Sequence, residues 1–350
     1  MSQRLEASER DQRKEQRKEL REQQSPAIVT VAVMMLLLML YLVLWGLGEI
    51  NIEGTDEAFV NSFGYRLWAA MGALSGTLWV VLFIAGQHEN RAFGKDPDVE
   101  GWKSGDSRAK WLLYVLFIIL GGLLLWAIQS GTRPPIPIGW WDPWSYALPF
   151  AFAVAAGPWV LLVWRAHEQL HQVDTGSLSS IGRLTSIWSH IENSMLALSL
   201  LVTSGALTTG ALRIAVTAKA RPAAGGKLEP FIKPEDYPAS GVLLYGAFFT
   251  ILLAVAVFPL VFAWRGKARC LVDRLAPVEF DLAPNDAVAG EATDDKPSKA
   301  GAGEAADDKR SKLEKHLHLD AGLFQSPLTA LSVITPLLTS VLAVFIPELG

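Results

Sequence analysis

Apolar and polar positions alternate in long blocks along this chain. Seven windows without Asp, Glu, Lys or Arg lie between charged segments, bounded by Glu22 and Glu49, Arg66 and Glu89, Lys110 and Arg133, Asp142 and Arg165, Glu192 and Arg213, Asp236 and Arg265, and Asp320 and Glu348. A helix needs about 20 apolar residues to cross about 30 Å of hydrocarbon. Because backbone amides in lipid must find partners within their own segment, such windows form helices. The pattern predicts an all-α fold, a polytopic transmembrane helical bundle with six or seven spans.

The distribution of Lys and Arg predicts the orientation of these spans. Basic residues are enriched in cytoplasmic loops, and a cytoplasmic N-terminus places most of the Lys and Arg residues on the inner side. The segment 213–233, with five basic residues, is the exception on the outer side. We therefore expect a multi-pass protein of the plasma (inner) membrane, with the lipid bilayer as its principal environment.

Charge and composition divide the chain into four parts. Residues 1–25 are rich in Arg, Lys, Glu and Gln, which predicts a charged cytoplasmic helix, and residues 26–265 form the six-span membrane domain. Residues 266–320 are a cytoplasmic basic segment followed by a linker rich in Ala, Gly, Asp and Lys, which has little apolar surface to bury and is expected to be disordered. Residues 321–350 are a C-terminal hydrophobic helix that forms a seventh span or lies at the interface.

Two features refine the membrane domain. Apolar positions that share one helical face near residues 178–193 predict a helix lying in the membrane interface. Tryptophans near window ends are typical of the headgroup region, and they are Trp45, Trp68, Trp111, Trp126, Trp164 and Trp264. These positions are therefore expected to anchor the bundle at the two membrane surfaces.

Small and hydroxylated residues recur at helical spacing in the fifth and last windows. In the fifth they are Ser199, Thr203 and Gly210, and in the last they are Thr329, Ser332, Thr335 and Thr339. Faces of this kind let helices approach closely in lipid, and they also suit the lining of a polar pore. The sequence leaves both interpretations open.

The fourth window leads directly into His167-Glu168-Gln169-Leu170-His171. On a helix this spacing places both imidazoles on one face, where they can share a zinc ion while the glutamate acts as general base. The pattern resembles that of zinc metallopeptidases, although polar Gln169 follows the glutamate at a position where an apolar residue is common. The resemblance implies His167 and His171 as metal ligands and Glu168 as a catalytic residue.

A catalytic zinc needs a third protein ligand, and the sequence offers His190 or Glu192. Two residues apart on a helix means about 200° of rotation, so only one of them can serve. A plainer interpretation is that these polar residues are solvated at a span end, and that Glu192 favours the N-terminus of the fifth span through the helix dipole. Zinc is thus a candidate cofactor, and otherwise we expect none.

Several function classes find no support in the sequence. No acidic or basic residue lies inside any window, whereas ion-coupled transporters bury such groups, and no phosphate-binding GxxxxGK loop is present. The net charge of −4 gives no reason to expect a nucleic-acid partner. We expect a non-enzymatic scaffold or pore-type protein, which can oligomerise and binds protein partners through its N-terminal arm or C-terminal tail. The alternatives are a membrane-bound zinc hydrolase and a facilitator of uncharged solute passage.

Overall fold

The computed structural model describes residues 30–46, 55–93, 136–138, 141–174, 179–222, 227–276 and 308–315, with isolated positions 109, 112, 114–116, 119, 317, 319, 335 and 341. The described chain is mostly helical, as predicted. Its helices are α1 (Thr30–Gly46), α2 (Glu57–Val60), α3 (Phe63–Phe93), α4 (Trp141–Gln172), α5 (Ser179–Thr217), α6 (Ala239–Leu275) and α7 (308–315). A hairpin of β1 (Lys219–Pro222) and β2 (Leu228–Pro230) is an addition that the all-α prediction lacked.

Four described helices are long and apolar enough to cross a membrane, which confirms that the chain has the character of a membrane protein. They are α3, α4, α5 and α6, and they contain the second, fourth, fifth and sixth uncharged windows. The first window forms the shorter apolar helix α1. The third and last windows lie largely outside the described residues, as do the predicted N-terminal helix over 1–25 and most of the linker, so a count of six or seven spans stays a prediction.

The helices pack as a bundle in which α5 lies at the centre, against α3, α4 and α6. Helix α1 runs antiparallel to α3, because Leu40 lies beside Gly76 whereas Leu44 lies beside Gly72. Tyr65 of α3 also donates a 2.6 Å hydrogen bond to the carbonyl oxygen of Leu44. The start of α1 therefore lies on the same side of the bundle as the end of α3.

Two glycines set how closely α3 approaches its neighbours. A Cβ atom added at Gly64 would lie 2.7 Å from the Cα of Ala215 in α5, and one added at Gly86 would lie 2.8 Å from the Cβ of Pro158 in α4. Small residues at helix interfaces let backbones approach closely in lipid, where association depends on packing. The two contacts fix α3 against α5 at one end and against α4 at the other.

One end of the bundle is closed by a cap made from α2, the hairpin and the segment 136–138. Its apolar core contains Phe59, Tyr65, Trp68, Ile136, Ile138, Ala215 and Ile232. The backbone N–H of Asp56 donates to the carbonyl oxygen of Pro137, and that of Ile232 donates to the carbonyl oxygen of Val216. Trp68, expected at the membrane surface, instead lies buried in this core with 2% of its surface exposed.

At the opposite end the helices continue beyond the charges that bound their windows. Helix α5 has 39 residues and α6 has 37, which correspond to about 58 Å and about 56 Å at 1.5 Å per residue. The hydrocarbon core of a bilayer is only about 30 Å thick, so each helix is longer than a span requires. We call this continuation, taken together with Trp264 at its start, the extension; it comprises residues 87–93, 165–173, 179–193 and 264–275.

The extension has an apolar core of its own, continuous with that of the bundle. Its buried members include Phe93, Leu170, Leu184, Ile187, Trp188, Ile191, Trp264, Ala268 and Leu271. The predicted helix near 178–193 is thus present but forms the first part of α5, and its apolar face packs against α6. Trp264, expected at the membrane surface, is 1% exposed in this core.

Helix α7 packs on the end of α6. Arg310 donates hydrogen bonds to Asp273 at 2.9 Å and to Glu314 at 2.8 Å, while Leu317 is buried in the core of the extension. The hydrogen bond with Asp273 and that with Glu314 raise the pKa of Arg310, so its guanidinium stays charged. The chain therefore returns to the extension after the segment 277–307.

Candidate functional site

The last turns of α4 are amphipathic, and this pattern places the candidate histidines. Ala166, Gln169 and Leu170 are buried against the rest of the extension, whereas His167 and His171 are exposed. Positions three and four apart lie on the same side of a helix, so the buried and exposed sets form opposite faces. The two histidines consequently face outward from the packed core.

His167 and His171 are in direct contact. Their Nε2 atoms lie 3.2 Å apart, and their ring centroids lie 4.7 Å apart with the ring planes at 87°. One ring nitrogen can donate to the other, or both lone pairs can be directed at a common ligand. Sequence spacing thus correctly placed the two imidazoles on one helical face.

The predicted third ligands, His190 and Glu192, do not form a metal centre with His167 and His171. Nδ1 of His190 lies 3.1 Å from Oε1 of Glu89 in α3, to which Asn193 also donates at 2.9 Å. The His190 ring makes a T-shaped contact with Phe93, and Glu192 is half-buried. Within the described ranges, no group of three or more His, Cys, Asp or Glu side chains is arranged to hold a metal ion. A third zinc ligand therefore stays a prediction.

A polar network that the sequence did not suggest holds α3 against α4 just before the histidines. The side-chain amide of Asn90 donates to the carbonyl oxygen of Pro158 at 2.6 Å, and Nη1 of Arg165 donates to the carbonyl oxygen of Asn90 at 2.7 Å. Glu168 lies close enough to Arg165 for a favourable charge interaction. Glu168 therefore has a structural partner beside the histidines, in addition to the base role that the motif implies.

Arg183 makes a second polar link, between the end of α4 and the start of α5. Its Nη2 donates a 2.6 Å hydrogen bond to the side-chain oxygen of buried Gln169. Lys267 of α6 also donates to the carbonyl oxygen of Val173, at 3.2 Å. Because these contacts tie the end of α4 to both neighbours, the backbone that carries the histidines is held on two sides.

The small-residue face of α5 lies in the helix packing. Ser199 and Gly210 are buried, and the buried Oγ1 atom of Thr203 has no hydrogen-bond partner among the described residues. Thr335 is helical and half-buried, whereas Thr329, Ser332 and Thr339 lie outside the described residues. The contacts of α5 favour packing over pore lining.

Adjacent hydroxyls of α5 form a seam with α3 that the sequence analysis missed. Oγ of Ser75 lies 2.7 Å from Oγ1 of Thr208, and the indole nitrogen of Trp79 donates to Oγ of Ser204 at 2.9 Å. A signal was present in the sequence, since Ser204 and Thr208 are four residues apart and therefore share one face of the helix. The seam fills the space between the two helices with side chains that bind one another.

The described residues thus contain an exposed histidine pair, a polar junction between α3 and α4, and a hydroxyl seam between α3 and α5. The chain matches no protein-family model, no curated protein and no solved structure at a significant level.

Proposed function

We propose that the protein is a multi-pass membrane scaffold, with the extension as a rigid cytoplasmic platform that positions the N-terminal arm and the C-terminal tail for protein partners. The observation that supports this most directly is that α5 and α6 stay packed against each other past the ends of their uncharged windows. Beyond the charges that bound their windows, they share a buried core that includes Leu184, Ile187, Ala268 and Leu271. The rings of Trp188 and Trp264, whose centroids are 4.4 Å apart, stack where this core begins.

The packing of the described helices also favours a scaffold over a solute pathway. Facilitators need a polar cavity or a chain of groups with free donors and acceptors along the bundle. Here Ser75, Ser204 and Thr208 bind one another across the α3–α5 contact. A hydroxyl seam of this kind stabilises helix association by about 0.6 kcal/mol per hydrogen bond on average in lipid.

Site-specific photo-crosslinking in cells tests the scaffold proposal. A photoreactive residue at exposed Ser189 is expected to give discrete protein adducts that change when residues 1–25 are deleted. The same probe at Ile251, which is 64% exposed on the apolar surface of α6, is the matched control and is expected to label lipid. The scaffold proposal fails if Ser189 gives no protein adduct while purified protein in liposomes conducts an uncharged solute.

A second candidate function, a membrane-bound zinc hydrolase, is favoured by the contact between His167 and His171. In it the two histidines would hold the ion and Glu168 would act as base. This function predicts stoichiometric zinc in the purified protein. A Glu168→Gln variant that still folds should keep the zinc and lose hydrolytic activity, which distinguishes a hydrolase from zinc binding alone. Hydrolysis that persists in the variant would exclude Glu168 as the base.

A further inference from the structure

We propose that His167 and His171 bind a divalent transition-metal ion of the class that prefers imidazole nitrogen, such as Cu²⁺, Zn²⁺ or Ni²⁺, with water completing its coordination. Imidazole suits these metals, and Cu²⁺ binds tightest among them in the usual order of affinities. This binding site is separate from the scaffold proposal and requires no hydrolytic chemistry.

The separation of the two ring nitrogens carries the proposal. At metal–nitrogen distances of about 2.0–2.1 Å, two ligands lie about 3.3–3.4 Å apart at a tetrahedral angle and about 2.8–3.0 Å apart at a right angle. The observed distance between the Nε2 atoms is 3.2 Å, which lies between these two values. The pair can therefore chelate one ion with small changes of side-chain torsion.

A hydrogen bond between the two rings fits the same distance. The exposure of the two side chains to solvent decides how much such a bond contributes. Both histidines are exposed, and water competes for their ring nitrogens. A typical intramolecular hydrogen bond contributes only about 0.5–1.5 kcal/mol net. A metal ion, in contrast, uses both lone pairs together and gains from the open side of the site, where water can occupy its remaining positions.

The backbone beneath the pair is already ordered. Leu170, one residue before His171, is 1% exposed in the core of the extension, and Gln169 is bound to Arg183. Arg165, two residues before His167, donates to the carbonyl oxygen of Asn90. Ligands on a packed helix lose little freedom when they bind a metal. With two protein ligands, the site suits an exchangeable ion better than a four-coordinate structural zinc.

Copper titration of the full-length protein tests the site. Protein purified in detergent and stripped with a chelator is titrated with Cu²⁺ and followed by electron paramagnetic resonance. We expect one equivalent to show coupling to two nitrogens. The substitution His171→Ala should weaken this binding by at least about tenfold in Kd, the lower limit of what loss of a supporting group costs a metal site.

A register shift is the matched control, because it keeps the number of histidines constant. Combining His171→Ala with Gln172→His places the second imidazole five residues after the first, about 140° away around the helix. Gln172 is exposed, so the change does not disturb the core. We expect this double variant to bind Cu²⁺ as weakly as His171→Ala alone, whereas His190→Ala, which removes the partner of Glu89, should bind like the parent.

The site is disproved if the parent shows no two-nitrogen signal, or if the register-shifted variant binds as tightly as the parent. Thermal unfolding with and without Cu²⁺ gives a second measurement. An ion that binds only the folded pair raises Tm in the parent and not in the register-shifted variant. An equal rise in both proteins would also contradict the proposal, because it would assign the copper to other groups.

Discussion

The indole nitrogen of Trp264 donates a 2.9 Å hydrogen bond to the carbonyl oxygen of Leu184. The bond joins α6 to α5 within the extension, beside the ring of Trp188. It links two positions that are 80 residues apart in the sequence. The extension therefore depends on specific contacts between its helices.

Replacing Trp264 with alanine is expected to destabilise the extension strongly. The side chain is 1% exposed, and truncating a buried tryptophan costs about 3–5 kcal/mol. Thermal unfolding in detergent, followed by circular dichroism, measures the effect. Phe262→Ala is the control, because Phe262 is 60% exposed two residues away, and its loss should change the free energy of unfolding by about 0.5 kcal/mol or less. Equal losses in both variants would contradict the buried position of Trp264.

A methyl group at Gly64 is expected to push α3 away from α5. The added Cβ would lie 2.7 Å from the Cα of Ala215, which is backbone and cannot rotate away. Overpacking of this kind costs about 1–3 kcal/mol, so Gly64→Ala should lower the temperature of unfolding. At Gly182 a Cβ meets nothing within 4 Å, and Gly182→Ala should leave stability unchanged or raise it by up to about 1 kcal/mol. The reverse order of the two variants would refute the close approach.

Releasing Leu317 is expected to detach α7 from the extension. Leu317 is 1% exposed, and Leu317→Asp would bury a charge without a partner. Limited trypsin digestion should then cleave after Arg310 and Lys315 much faster than in the parent. Lys312→Glu is a control for charge alone, because this side chain is 75% exposed and contacts Asp308 on the same helix. Unchanged cleavage in Leu317→Asp would contradict docking.

Labelling of single cysteines tests the proposed orientation. In a Cys270→Ser background, a cysteine at exposed Ser189 in the extension should react with a membrane-impermeant maleimide only after cells are permeabilised. A cysteine at Leu228, which is 57% exposed in the hairpin at the other end of the bundle, should react in intact cells. The opposite labelling pattern would place the extension outside the cytoplasm and would remove the basis of the scaffold proposal.

The length of the uncharged windows predicted the long apolar helices well, because a helix in lipid must be apolar and hydrogen-bonded within its own segment. The second, fourth, fifth and sixth windows each lie in one long helix. The limits of those helices were harder to predict, because Arg165, Glu192 and Arg265 end a window without ending a helix. Packing among residues such as Leu184 and Leu271 continues the helices past these charges, and that packing is a property of the tertiary structure.

In the candidate site, too, contacts within one segment were predicted and contacts between distant segments were not. The contact between His167 and His171 follows from helical spacing within one segment, and it was predicted. The pairing of His190 with Glu89 joins residues 101 positions apart, and nothing in either segment alone indicates it. The hairpin was missed because its strands are only four and three residues long and contain no β-branched or aromatic residue.

Helix α5 contains no proline, whereas α4 contains Pro149 and Pro158 and α6 contains Pro259. It runs without interruption from the apolar cap, where Ala215 and Val216 are buried, to Leu184 in the extension. Sharp kinks in helices occur mostly at prolines, so α5 is expected to be stiffer than α4 and α6. One uninterrupted backbone thus connects the cap to the extension, and we expect a displacement of α5 at the cap to reach the extension.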